Sequence, residues 1–160
     1  MRNSRFLILA FVFALLAGMA PNELSAGTGL SYSQMTQYLS SYFSLEKSTP
    51  VNGQPRYMGA TGDKLAMLEL IGDKNDLTEA TLIIGLPNDS QSVLVRNSAM
   101  FMRFIKNAAP SWEGSGDWAV AALKKATTTE VPVSTVRGTR RITVSLQKPL
   151  AMVLVTVKHR

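Results

Sequence analysis

The chain has 160 residues, 46% of them apolar, and a formal net charge of +6. It contains no cysteine and a single histidine, His159, next to its C-terminal residue. The lack of cysteine excludes disulfides and thiolate chemistry, and one histidine is too few for a zinc site of the common ligand types. A Ser-His-Asp triad would have to recruit His159 from the terminus. We therefore predict no catalytic residue, no metal site and no cofactor.

The first 26 residues have the pattern of a secretory signal peptide. Arg2 and Arg5 precede an unbroken apolar run at residues 6–17, and small residues follow it. We expect cleavage after Ala26, and therefore a periplasmic or extracellular protein. The alternative is an uncleaved membrane anchor, but the run is shorter than the roughly 20 residues that span a bilayer. No later segment matches it in length, so no transmembrane segment is expected after cleavage.

Residues 27–160 suit a single domain with a sizeable core. Charge is unevenly distributed along them. Residues 27–123 hold seven basic and nine acidic residues, whereas residues 124–160 hold eight basic residues and Glu130 alone. Such a basic C-terminal third could attract an anionic partner over long range. The alternative is that these charges keep exposed strand faces soluble.

The pattern of apolar residues predicts three helices and six strands. The predicted helices span residues 31–45, 89–107 and 117–127, and the predicted strands span residues 56–60, 64–71, 77–86, 130–137, 141–147 and 151–158. Apolar residues recur every three or four positions in the helices and alternate with polar residues in the last three strands.

Capping and turn residues set the limits of these elements. Ser31 with Gln34 three residues later forms a capping box, and Asp89 is the predicted N-cap of the second helix. Proline and glycine are frequent over residues 49–62, so much of that segment outside the short strand at residues 56–60 is expected to be loop. Residues 72–76 and 137–140 have the composition of hairpin turns.

The resulting order, α-βββ-α-α-βββ, predicts an α+β fold. Antiparallel strands that follow one another in a meander give a sheet, and helices packed on one of its faces complete a two-layer sandwich. Because a unit of one helix and three strands occurs twice, the order also suggests a tandem structural repeat.

Basic residues surround the predicted turn at residues 137–140. Arg137, Arg140 and Arg141 could converge on phosphate or carboxylate oxygens, and Lys148 could extend the patch. We predict that they bind an anionic envelope component or an acidic protein face. Aromatic residues do not alternate with these cations, which argues against nucleic acid. The alternative is a solvated hairpin tip that discourages edge-to-edge aggregation.

Two carboxylates lie between two tryptophans in the segment WEGSGDW. A glycoside hydrolase needs two carboxyl groups at a suitable separation, and aromatic rings stack on sugars. Trp112, Glu113, Asp117 and Trp118 could therefore form a glycan site. The alternative is that Asp117 caps the third helix and both tryptophans pack over the edge of the core.

Glu69 is a carboxylate inside the apolar segment KLAMLELI. If its strand face is buried, Glu69 needs a partner such as Arg56 or Arg96, and its pKa is perturbed. If that face is solvated, Glu69 is an ordinary surface residue. The sequence alone leaves both alternatives open.

Taken together, these features favour an exported, non-enzymatic binding protein that recognises a protein or an anionic envelope component. A carboxylate-dependent glycan hydrolase that uses Glu113 and Asp117 is the alternative. An envelope protein with no specific ligand is a third possibility. The two main hypotheses differ in geometry, because a hydrolase needs a concave pocket around Glu113.

Overall fold

A computed structural model describes residues 26–87 and 89–160, so the predicted signal peptide, apart from Ala26, lies outside the described residues. The helices described are α1 (Tyr32–Thr36), α2 (Gln91–Ala108) and α3 (Ser115–Thr129), with a 3₁₀ turn at Lys148–Leu150. The strands are β1 (Glu46–Val51), β2 (Gln54–Ala60), β3 (Ala66–Asp73), β4 (Asp76–Gly85), β5 (Val133–Arg137), β6 (Arg140–Gln147) and β7 (Met152–His159). None of these helices is both long and apolar enough to cross a bilayer.

The strands form one antiparallel sheet in the order β1-β2-β3-β4-β7-β6-β5. Each half of the sheet is a meander, and the two meanders join where β4 pairs with β7, from Glu79 opposite Lys158 to Gly85 opposite Met152. The chain leaves the sheet after β4, forms α2 and α3, and returns to the far edge with β5. The predicted α+β fold is confirmed.

The main core lies between the helices and one face of the sheet. Alternate residues of the central strands, such as Leu82 and Val155, point to this face and pack with Phe101 and Phe104 of α2. A smaller apolar cluster lies on the opposite face and consists of Met67, Ile83, Met152 and Leu154. On β6, Ile142 and Val144 point to the face covered by the helices and are fully buried, whereas Leu146 is only partly buried.

Strand β1 was not predicted, because it lies at the sheet edge and carries mainly polar side chains, EKSTPV. An edge strand with both faces near solvent has no apolar alternation to reveal it. The signal that could have found it is Asn52-Gly53, which joins β1 to β2 with φ of 50° and 75°. Such a pair is typical of a tight hairpin turn. With β1, four strands precede the long helices and three follow, so the halves are unequal and the tandem repeat stays a prediction.

Helix α1 ends nine residues earlier than the predicted limit of 45. Ser31 does cap it, because its hydroxyl accepts a hydrogen bond from the Gln34 backbone nitrogen at 3.1 Å. The helical conformation ends at the C-cap Gln37, whose ψ is 128°, and the φ of 61° at the next residue, Tyr38, is also incompatible with a continued helix. The side chain of Asn107 in α2 donates to the carbonyls of Met35 and Gln37, and so satisfies the last turn.

The other two helices agree with the prediction to within two residues at each end. Helix α2 begins after Ser90 rather than Asp89, and Ser90 makes no side-chain capping bond. Helix α3 begins at Ser115, two residues before the predicted start at Asp117. Asp117 therefore lies inside the first turn, where its negative charge faces the positive end of the helix dipole.

Candidate functional site

Arg137 and Trp112, which belong to two separately predicted sites, are in contact. The guanidinium carbon of Arg137 lies 4.0 Å from the centre of the Trp112 ring, within the range of a cation–π interaction. An open cleft of about 730 Å³ adjoins the pair, and its lining residues are Ala109, Ser111, Trp112, Arg137, Gly138, Thr139 and Arg140. The cleft lies between the loop after α2 and the turn between β5 and β6.

Local backbone geometry places each side of this cleft. Gly138 has a φ of 62° in the two-residue turn of the β5–β6 hairpin, a conformation that glycine adopts without steric cost. On the other side, the backbone nitrogen of Trp112 donates to the Ala109 carbonyl in a tight turn that follows α2. The ring centres of Trp112 and Trp118 are 5.4 Å apart, and both rings pack against the main core. These contacts with the core and with Trp118 therefore hold the Trp112 ring in place beside the cleft.

Arg140 lines the cleft but is largely engaged in holding the fold together. Its guanidinium donates three hydrogen bonds, to the carbonyls of Thr28 at 2.9 Å, Gly29 at 3.0 Å and Ala108 at 2.7 Å. Partial burial lowers the pKa of Arg140, since desolvation disfavours its charged form. Arg140 therefore adds positive potential to the cleft, while three of its five N–H groups are bound to backbone oxygens.

Arg141 and Lys148 lie away from Arg137. Arg141 follows Arg140 in β6 and so points to the opposite sheet face, where it is the cross-strand partner of Lys158. Lys148 lies beyond the other end of β6, and its ammonium contacts Glu130 at 2.6 Å with 70% of the side chain exposed. The three arginines thus do not converge as the sequence suggested, because the strand pleat separates Arg141 from the other two.

Glu113 and Asp117 are both exposed, and neither lines the cleft beside Arg137. The tryptophans beside them are partly buried against the main core, but Asp117 does not cap α3 as the alternative interpretation expected, because the N-cap is Gly114. Of the four residues in the predicted glycan site, only Trp112 lines the cleft, and it does so beside arginines rather than carboxylates.

Glu69 is 5% exposed and lies on the sheet face opposite the helices. Arg56 on the neighbouring strand donates to it at 2.5 Å, so Arg56 is its partner, while Arg96 pairs with Asp63 instead. Burial raises the pKa of Glu69, and the positive charge of Arg56 opposes that rise. The pair lies on the other side of the sheet from the cleft. We therefore regard it as part of the fold rather than of the candidate site.

Sequence reasoning missed the contact between Arg137 and Trp112, although it had singled out both residues. They are 25 positions apart, and no local pattern links them, because their contact depends on how α2 crosses the sheet. Ser111 and Thr139 add hydroxyl groups to the cleft lining and carry no sequence signal of their own.

Within residues 26–87 and 89–160, no three histidine, cysteine, aspartate or glutamate side chains lie close enough together to hold a metal ion. Comparison of the chain with protein-family models, with curated proteins and with solved structures finds no match.

Proposed function

We propose that this chain is an exported, non-enzymatic binding protein that takes an acidic saccharide of the cell envelope in the cleft beside Trp112. The single observation that carries the proposal is the position of Arg137 over the Trp112 ring at the edge of this cleft. An aromatic ring offers an apolar surface to a sugar, and a guanidinium offers paired donors to a carboxylate or phosphate.

The electrostatics of the lining favour an anion. Arg137 and Arg140 are the charged residues of the lining, and no carboxylate opposes them there. Three of the five N–H groups of Arg140 are bound to backbone carbonyls, and Arg137 keeps more of its donors for a ligand, so Arg137 is the residue we assign to direct contact with the anion. The hydroxyls of Ser111 and Thr139 can add neutral hydrogen bonds to sugar oxygens.

An envelope ligand is consistent with the export that the sequence predicts. Because residues 1–26 have the pattern of a signal peptide, we infer a periplasmic or extracellular location, where acidic polysaccharides and phosphorylated glycans are accessible. The exposed positions of Glu113 and Asp117 lend no support to the hydrolase alternative, which needs a pocket at those two carboxyl groups.

Intrinsic fluorescence provides a direct test. The chain has two tryptophans: Trp112 lines the cleft, and Trp118 contacts the Trp112 ring. We expect polygalacturonate to change tryptophan emission in a saturable way, neutral dextran to have no effect, and added salt to weaken binding. Polyphosphate would compete if the oxyanion alone is recognised, and would not compete if the sugar rings are needed.

The hairpin supplies a matched control for this test. Arg137→Ala should weaken polygalacturonate binding about tenfold, because it removes a charge-assisted contact. Arg141→Ala makes the same change of net charge on the other sheet face and should leave the affinity within twofold. Equal losses in the two variants would show that only overall charge matters, and would refute the cleft as the binding site.

A further inference from the structure

A second cavity lies between α2 and α3 and differs in character from the first. It is a groove of about 470 Å³, within the usual size range of sites for small ligands. Its apolar lining comes from five residues: Leu86, Phe101, Met102, Val120 and Leu123. The lining includes no acidic residue, and Lys124 is its one charged member.

Helical periodicity explains why these residues form one continuous groove. Val120, Leu123, Lys124 and Thr127 are spaced at three, four and seven residues along α3, so they form one stripe about 10 Å long. Phe101 and Met102 of α2 face this stripe. Phe101 is buried and forms the floor, whereas Val120 is 60% exposed and leaves an apolar wall open to solvent.

The polar residues of the groove lining are open to solvent. Ser98, Lys124 and Thr127 are all exposed, in contrast to the buried floor. None of the ion pairs found in residues 26–87 and 89–160 involves Lys124. The Thr127 hydroxyl donates to the Leu123 and Lys124 carbonyls, so the ammonium of Lys124 is the strongest donor of the lining.

We propose that the groove binds a medium-chain fatty acid, with the acyl chain between α2 and α3 and the carboxylate on Lys124. The apolar lining from the two helices and Leu86 suits one unbranched chain, and the single cation of the lining complements one negative charge. Met102 has a flexible side chain that can adjust to chains of different length. This site is separate from the cleft at Arg137, and neither proposal depends on the other.

Calorimetric titration of the full chain with three ten-carbon probes tests both parts of the proposal. We expect decanoate to bind most tightly, decanol more weakly and decyltrimethylammonium least, because only decanoate complements Lys124. Shortening decanoate to octanoate should weaken binding about two- to fourfold for each CH₂ removed. A chain-length dependence without preference for the carboxylate would overturn the role of Lys124.

Neighbouring lysines provide the matched control. Lys124→Ala should weaken decanoate binding about two- to fivefold and leave decanol binding unchanged. Lys125→Ala makes the same change of charge one residue away, outside the groove lining, and should have no such effect. If the two variants behave alike, the carboxylate does not sit on Lys124 and the proposal fails.

Val120→Trp tests the groove itself, since an indole at this exposed position would fill the groove without altering the buried core. We expect it to abolish binding of both decanoate and decanol while circular dichroism shows a normal fold. Unchanged decanoate binding in this folded variant would place the ligand elsewhere and overturn the proposal. Binding of a lysophospholipid in the absence of decanoate binding would overturn the choice of a fatty acid.

Discussion

Arg137 and Arg140 are direct cross-strand partners at the end of the β5–β6 hairpin, yet their guanidinium groups have different partners. Arg137 lies over the Trp112 ring at the cleft, whereas Arg140 binds three backbone carbonyls. The residues that provide those carbonyls, Thr28, Gly29 and Ala108, come from the start of the described chain and the end of α2. Arg137 donates one hydrogen bond, to the Val136 carbonyl at 3.2 Å, and so keeps more donors for a ligand than Arg140, which holds three segments of the chain together.

This difference predicts unequal effects on stability. Arg140→Ala should lower the free energy of unfolding by about 2–3 kcal/mol, because three carbonyls lose a charged donor. Arg137→Ala removes one cation–π contact and should cost at most about 1 kcal/mol. Urea unfolding of both variants measures the difference. Equal destabilisation would contradict the structural role assigned to Arg140.

Asn107 offers a second test of buried polar contacts. Its side-chain nitrogen donates to the carbonyls of Met35 and Gln37 at 3.1 and 2.7 Å, and the residue is 6% exposed. Asn107→Ala should cost about 2 kcal/mol, because it leaves these two carbonyls of the α1 end without a donor.

Asn107→Asp separates this role from simple packing. Aspartate has nearly the same volume but would direct a negative oxygen at two carbonyls. We therefore expect Asn107→Asp to be more destabilising than Asn107→Ala at pH 7 in urea unfolding. An aspartate variant as stable as the native chain would show that the two hydrogen bonds contribute nothing.

The sequence was informative wherever one side chain pattern dominated. Strands β3, β4, β6 and β7 are apolar or alternate cleanly, and α2 shows a broad apolar stripe, so these elements were predicted. Strand β1 was not predicted, because an edge strand of polar residues has no burial pattern. The predicted length of α1 was too great, because the helix ends through a tertiary contact with Asn107 and through the backbone conformation at Tyr38.

The candidate site was predicted only in part, for a related reason. Arg137 and Trp112 are both recognisable as chemically unusual residues, but a sequence pattern does not show that they touch. The separation of Arg141 from Arg137 follows from strand alternation, which the sequence does contain. The three bonds that occupy Arg140 depend on segments far apart in the chain, so they could not be foreseen.

Asp63 and Arg96 predict a dependence of stability on pH. Burial acts to raise the pKa of Asp63, but its hydrogen bonds from Arg96, Thr61 and the Leu65 nitrogen prevail and lower it from 3.8 to about 2. A carboxyl whose pKa is lowered in the folded state stabilises the fold above its unfolded pKa. That contribution should be lost as the pH falls from about 3.8 to about 2.

Asp63→Asn isolates this contribution, since asparagine retains most of the shape and does not titrate. Because the pair is partly exposed, we expect the variant to be about 0.5–1 kcal/mol less stable at pH 6. This difference should shrink toward zero near pH 2. Urea unfolding at a series of pH values measures it, and a difference that stays constant with pH would rule out the linkage.

Gly72 gives a prediction from backbone geometry. It has a φ of 116° at the irregularity in the β3–β4 register, and a Cβ atom there would lie 2.6 Å from the Thr78 nitrogen. Both the conformation and the contact with backbone oppose a side chain, so Gly72→Ala should lower the free energy of unfolding by about 2–3 kcal/mol.

Gly53→Ala is the control, since Gly53 has a φ of 75° but no atom within 4 Å of its Cβ position. It should cost only about 1 kcal/mol from backbone conformation. If the two variants unfold at the same urea concentration, the close approach of β4 to Gly72 has no energetic consequence, and the bulge must relax to accept alanine.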